Sequence, residues 1–441
     1  MVTKKDEGLD LSEESYLKEY VKFLNDNKTT REVGEAIVKD AKKNGFSEYN
    51  ESEKKAKPGD RVIFNLRDYH AVALAVVGKD EGMRITGAHI DAPALNLKPH
   101  PFIESEGDVK LDTHYYGGIM PTDYFSKPLE LRGTVVKDGQ KKRIKPLDVQ
   151  APRLLPHLGG DDGKRKEGEP LLYTGENIDM STYIPDKKSL LKRMGGIKDT
   201  DITRCDFEIV PSAKARVMGS GNSRVVEAYG QDDRSCSFAQ LKAIEDVKVP
   251  DYTSIAVFYD KEEIGSNGYS GAQGKFLDNV INKTLSLKLG KGLDKITEAY
   301  KQAKVFTESR CISSDVNAAF DSKYADKFDP QNAAHLGKGT ALTWYTGSKG
   351  QYDASKASAE YMDEVKSLFE KNGVKYQEAL LGGKLDIGGG GTIAKYVAQM
   401  GIETVDLGVP LQGMHTLAEV TNVRDNFEQY KANKTFLKAK R

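Results

Sequence analysis

Cysteine is scarce in this 441-residue chain: Cys205, Cys236 and Cys311 stand apart, with no CxxC spacing among them. That scatter excludes a disulfide framework and a cysteine-built zinc site, and it fits a reducing cytoplasm. Net charge is missing as well, because 66 Lys and Arg offset 66 Asp and Glu. No overall field recruits nucleic acid or an anionic membrane, and no basic patch marks a nucleic-acid face. Long apolar runs are absent too; nothing approaches the ~20 residues that a membrane-spanning helix needs. The opening MVTKKDEGLDLSEESY has neither the apolar centre nor the small-residue cleavage site of a signal peptide. Low-complexity tracts are lacking while apolar runs recur, so the chain is not disordered. Its length predicts two domains.

The N-terminal quarter reads as helix followed by strands. Thr29-Thr30-Arg31-Glu32 offers a capping box, the threonine hydroxyl and the glutamate each satisfying a backbone donor. Glu32–Lys43 then carries an apolar stripe, and Asn44-Gly45 closes it. Strands are expected at Arg61–Asn65, Ala71–Val77 and Met83–Gly87. The character changes near Ala94. From about Leu95 to Glu227 come short β-prone pieces (Leu129–Val136, Asp206–Pro211, Ala215–Met218), prolines and a polar run at Gly159–Glu169, read as a solvated loop. This stretch contains no long amphipathic helix. It reads as a β-rich insert with little core of its own.

From Arg224 onward strands and helices alternate. A strand at Val225–Ala228, a helix at Cys236–Glu245 and a strand at Ser254–Tyr259 are followed by a helical region around Leu293–Ala303. A strand at Lys304–Thr307, a helix at Ala354–Asn372 and a strand at Glu403–Leu407 complete the pattern. Alternation of this kind predicts an α/β domain with a mainly parallel sheet flanked by helices. Gly388–Gly391 lacks the strand-GxGxxG-helix setting of a dinucleotide site and reads as a tight backbone turn.

Five expected strands run into residues able to bind a metal. His89 follows MRITGA, Asp232 follows RVVEAYGQ, and Glu262-Glu263 follows SIAVFYDK; Asp315 follows KVFTESRCISS, and His415 follows ETVDLGVPLQGM. Singly, each aspartate reads as a helix cap and each histidine as a structural one. Together they point to the crevice beyond the carboxyl ends of a parallel sheet, where such folds bind ligands. Asp91 stands where a carboxylate can take the second ring N–H of His89 and fix its tautomer. Asp232 precedes a helix whose positive end favours an anion. Glu262 and Glu263 are neighbours, so both reach one site only from an irregular turn, for which Gly265 leaves room. One of the pair is then free to move a proton while the other binds metal.

On these segments the chain resembles the M18 family of metallo-aminopeptidases, which includes the aspartyl aminopeptidases and the yeast vacuolar aminopeptidase. The matching pieces are Gly87-Ala88-His89-Ile90-Asp91-Ala92-Pro93, Gln231-Asp232-Asp233-Arg234-Ser235-Cys236 and Tyr259-Asp260-Lys261-Glu262-Glu263-Ile264-Gly265-Ser266. Ser314-Asp315 and Gly413-Met414-His415-Thr416 continue the series, which runs the whole chain. The resemblance implies one metal held by His89, Asp232 and Asp315 and another by Asp232, Glu263 and His415, with Asp232 bridging. It also implies Glu262 as general base and Asp91 as the residue that orients His89. The catalytic α/β domain would be discontinuous, spanning 1–94 and 228–441, and 95–227 would be an inserted β-rich dimerisation domain. Dimers would assemble into a tetrahedral dodecamer, with His157 reaching a neighbouring subunit's active site.

Two segments depart from the acid-specific relatives. Val316-Asn317-Ala318-Ala319-Phe320-Asp321 stands where those enzymes carry histidines, and the Gly382–Thr392 loop is longer and richer in glycine. That loop supplies Lys384, a potential partner for an acidic side chain. Neutral or broad specificity is expected over a strict Asp/Glu preference.

The function expected is removal of single residues from peptides with a free N-terminus, by a water activated between two divalent ions. Carboxylate and imidazole ligands suit zinc, and cobalt or manganese can replace it. Two other readings are a carboxypeptidase or amide deacylase on the same metal core, and an inactive assembly protein. The latter should have lost a ligand or the base, and neither is missing.

Overall fold

The computed structural model describes residues 11–51, 55–158, 171–290, 295–347, 349–381 and 391–440. The expected loop at Gly159–Glu169 and most of the glycine turn at Gly388–Gly391 lie outside the described residues. A nine-stranded sheet organises the catalytic part. Its order is Ser47–Glu48, Arg61–Leu66, Ala71–Val76, Thr253–Tyr259, Met83–His89, Arg310–Ser313, Glu403–Gly408, Thr340–Thr343 and Tyr376–Glu378. The four strands from Thr253–Tyr259 to Glu403–Gly408 are mutually parallel, with antiparallel pairs toward both edges. The expectation of a mainly parallel sheet is met where the site lies.

Residues of period two explain why this sheet is buried on both sides. In Ala71–Val76, Val72, Leu74 and Val76 join one apolar cluster while Ala71, Ala73 and Ala75 join another. The helices Glu13–Asp26, Thr30–Lys43, Gln231–Glu245 and Val423–Leu437 supply the first cluster, and Phe276–Leu289 supplies the second. Thr29 and Glu32 form the expected capping box, a contact of roughly 1 kcal/mol.

Two expected elements shift. Lys304–Thr307 is not a strand: it is the end of the helix Lys295–Glu308, and the strand is Arg310–Ser313. Val305 and Thr307 favour a strand locally, but the helix continues through them and buries Val305. The helix expected from Ala354 starts at Ala359, where the Ser358 hydroxyl accepts the Tyr361 N–H.

The chain leaves the main sheet after His89 and enters an antiparallel seven-stranded one at Ala94–Ser105. The insert does have a core, contrary to expectation: Leu95, Leu111, Leu131, Val149, Phe207 and Ile209 are among its buried residues. Short alternating strands conceal this in the sequence, because each contributes only two or three inward side chains. Arg216–Met218, read as part of the insert, pairs instead with Val225–Ala228 in a third sheet, which also holds Glu419–Asn422, Pro410–Gln412 and Asn317–Ala318. Among the described residues no helix is long and apolar enough to cross a membrane.

Candidate active site and metal centre

Strand register places the first residues. Tyr259 lies level with His89 on one parallel neighbour, and Ser313 lies level with Gly87 on the other. The chain therefore meets Glu262 and Glu263 just past the sheet on one side of His89, and Asp315 on the other side. His89 Nε2 lies 3.1 Å from Asp232 Oδ1 and 3.8 Å from Asp315 Oδ1. His415 Nε2 lies 3.4 Å from Asp232 Oδ2 and 3.2 Å from Glu263 Oε2. Two groups result, His89–Asp232–Asp315 and Asp232–Glu263–His415, each with its donor atoms within 4.8 Å of one another and with Asp232 common to both.

Both imidazoles are held in the orientation a ligand needs. His89 Nδ1 faces Asp91 Oδ1 at 3.2 Å and the Asp91 carbonyl at 3.1 Å. His415 Nδ1 donates to the Gly118 carbonyl at 2.9 Å. A carbonyl only accepts, so the His415 proton sits on Nδ1 and leaves the Nε2 lone pair to the site. Asp232 stands at the start of the helix Gln231–Glu245, before its regular turns, with non-helical backbone angles.

Glu262 and Glu263 reach the site from a short 3-10 turn, Glu262–Ile264, bracketed by Lys261 at φ 67° and Gly265 at φ 85°. Asp91 secures this turn as well: its Oδ1 accepts the Glu262 N–H and its Oδ2 the Glu263 N–H, both at 3.2 Å. The irregular turn that the adjacent glutamates demanded is present.

The electrostatics call for cations. Burial opposes charge on His89, but its contacts with Asp232 and Asp91 outweigh that and hold its pKa well above the usual histidine range. Asp232 is buried too, yet the imidazoles of His415 and His89 keep its carboxyl below the usual range. In the remaining carboxyls burial outweighs the lowering charge of His89. Burial, then the charge of Glu262, raises Asp315; burial, then Asp232, raises Glu263. Burial pushes Glu262 up to about 7, with Asp232 and Asp91 acting against the opposing charge of His89. Glu263 Oε1 is buried without a hydrogen-bond partner among the described residues. Crowded carboxylates, an orphaned oxygen and two aimed imidazoles fit hard or borderline divalent ions.

Other expected residues lie elsewhere. His157 is exposed on the short turn Pro156–Leu158 of the insert, not in the cluster. Lys384 lies outside the described residues. Val316 is buried and Asn317–Ala318 pairs with Pro410–Gln412, so that segment is a strand of the third sheet. Sequence reading missed Glu419, whose buried carboxylate accepts the N–H of Asp232 at 3.1 Å and that of His415 at 2.9 Å. An acid in the β-prone run Glu419–Asn422, four residues after His415, was its only signal.

Similarity to known proteins identifies the family. Residues 23–437 match the family model of the aminopeptidase I zinc metalloproteases, M18. The chain is 35% identical to the Thermotoga maritima protein named Probable M18 family aminopeptidase 1, covering 96% of each chain. A crystal structure of an M18-family aminopeptidase from Thermotoga maritima superposes with a TM-score of 0.87 at 34% identity, covering 97% of this chain and 96% of that one. An S. cerevisiae aminopeptidase solved as a dodecamer shares the fold at a TM-score of 0.75 and 21% identity, over 97% of each chain. With residues 23–437 matched by the family model and a 35% identical relative covered over 96% of its length, the chain belongs to the M18 family of zinc metallo-aminopeptidases.

Proposed function

We propose that this aminopeptidase works with two divalent ions per subunit, one held by His89, Asp232 and Asp315 and the other by Asp232, Glu263 and His415. The observation that carries this reading is Asp232, whose two oxygens face two different imidazoles. When bound, such a pair supplies Lewis acidity that activates a water and polarises the scissile carbonyl. Glu262 is the general base: it takes the water's proton and returns it to the departing amine. Asp91 orients His89 and anchors the turn bearing both glutamates. Zinc is the ion we expect, with cobalt or manganese able to substitute.

The substrates are peptides with a free N-terminus, and the reading of neutral or broad specificity rests on the Val316–Asp321 segment. We read the chain as a homo-oligomer in which the insert forms dimers that build a tetrahedral dodecamer, His157 reaching a neighbour's site. Exposed Leu155, Leu158, Leu171 and Tyr183 on the insert support a buried contact there. A cytoplasmic setting is supported by three unpaired cysteines. The deciding experiment is a metal-reconstituted screen of aminoacyl chromogenic substrates alongside N-blocked peptides. Cleavage of the blocked peptides alone would favour a deacylase or carboxypeptidase.

A further inference from the structure

The insert touches the site directly, at the end of its strand Asp108–Tyr116. The Tyr116 hydroxyl donates to Asp91 Oδ2 at 2.7 Å, closer than the 3.2 Å at which His89 and the Glu262 and Glu263 N–H groups meet the same carboxylate. The next residue, Gly117, has φ 72°, and a Cβ there would come 3.2 Å from Cβ of Glu263. At Gly118 a Cβ would come 3.1 Å from Nδ1 of His415, whose proton the Gly118 carbonyl already receives. Three consecutive insert residues thus press on the residues behind both candidate ions. At either glycine an added Cβ would make the facing side chain give by a few tenths of an ångström, and Gly117 also holds a positive φ.

Tyr116 differs from the other donors to Asp91. His89, Glu262 and Glu263 belong to the catalytic part; the tyrosine comes from the insert and is fixed in register opposite Ala94. A charged acceptor strengthens such a bond, and Asp91 is fully buried, so losing the hydroxyl removes a partner from a carboxylate shielded from bulk water. On the reading of Asp91, Glu262 and Glu263 given above, we propose that Tyr116 is a positioning residue, through which the insert holds Asp91 and with it the turn of the base and one metal ligand. Its hydroxyl bonds to Asp91. It acts through Asp91 alone.

The test is a double-mutant cycle in the full-length assembly, with Tyr116→Phe, Asp91→Asn and the pair. The readouts are kcat, KM and the dissociation constant of zinc measured by competition with a chelating dye. Tyr116→Phe keeps the ring and is expected to lower kcat roughly tenfold with KM within about twofold, and to weaken zinc by a factor of about 10, the lower end for losing an outer-shell partner. In the Asp91→Asn background the same change should leave zinc affinity within about twofold, because its route is already cut. Wild-type kcat and zinc affinity in Tyr116→Phe would overturn the proposal, as would an undiminished loss in the Asp91→Asn background. Glu262→Gln run in the same assay separates the two levels: if it loses activity while Tyr116→Phe does not, only the role of Tyr116 fails. If Glu262→Gln stays active, the underlying reading fails instead.

Discussion

His89 and Asp315 face one another across the end of the sheet because their strands are in parallel register, Gly87 against Ser313, and each chain runs two residues further. Their 3.8 Å approach starts from this backbone pairing, with Asp315 two residues beyond the strand end at Ser313. Single substitutions test each role directly.

Asp232→Ala should empty both ion positions. After metal removal and resupply, elemental analysis is expected to find little bound zinc. Activity should fall beyond the ~10–100-fold typical of losing an outer-shell partner. Wild-type turnover in this variant would mean that the shared carboxylate is not a ligand.

Glu262→Gln and Glu263→Gln should separate. The first is expected to keep its zinc and lose at least ~10²-fold in kcat, the usual scale for a general base. The second should lose zinc affinity before anything else, since its Oε2 stands 3.2 Å from His415 Nε2. Reversed behaviour in a paired metal-binding and rate measurement would exchange the two roles.

Charge placed on the insert's exposed apolar residues should break the assembly. Leu158→Asp combined with Leu171→Asp is expected to lower the mass seen by light scattering. The catalytic part's melting temperature should be unchanged, because both side chains are exposed in the single chain. A wild type that is monomeric and fully active would exclude the proposed oligomer.

Specificity can be read from kcat/KM on Leu-, Ala-, Asp- and Glu-p-nitroanilides. Comparable or higher values for the neutral pair are expected. Burying an unpaired substrate carboxylate is costly, so a preference of ~10²-fold or more for the acidic pair would require a dedicated cation. Lys384→Ala would then show whether that lysine supplies it.

The candidate metal-binding cluster was legible in the sequence because each member follows an apolar strand, a local signal. His89, Asp232, Glu262, Glu263, Asp315 and His415 could all be found in this way. Glu419 and Tyr116 could not. Their importance comes from whose N–H or carboxylate they meet, 187 residues away for Glu419 and Asp232, and 25 for Tyr116 and Asp91. The strand misplaced at Lys304–Thr307 shows the opposite weakness, a four-residue β-like run overruled by the helix that reaches it. The core of the insert was hidden for a related reason, being assembled from strands that are individually too short to announce it.

The departure of the chain into the insert just after Asp91 also orders events in time. His89 and Asp91 leave the ribosome first, but Asp232, Glu263, Asp315 and His415 follow only after a whole antiparallel sheet has been made. Contacts across such sequence separations form late, since loop-closure entropy opposes them until the intervening chain is folded. Both candidate ion sites are therefore complete only after the chain has been made as far as His415. An unfinished chain has no assembled peptidase to turn on the peptides around it.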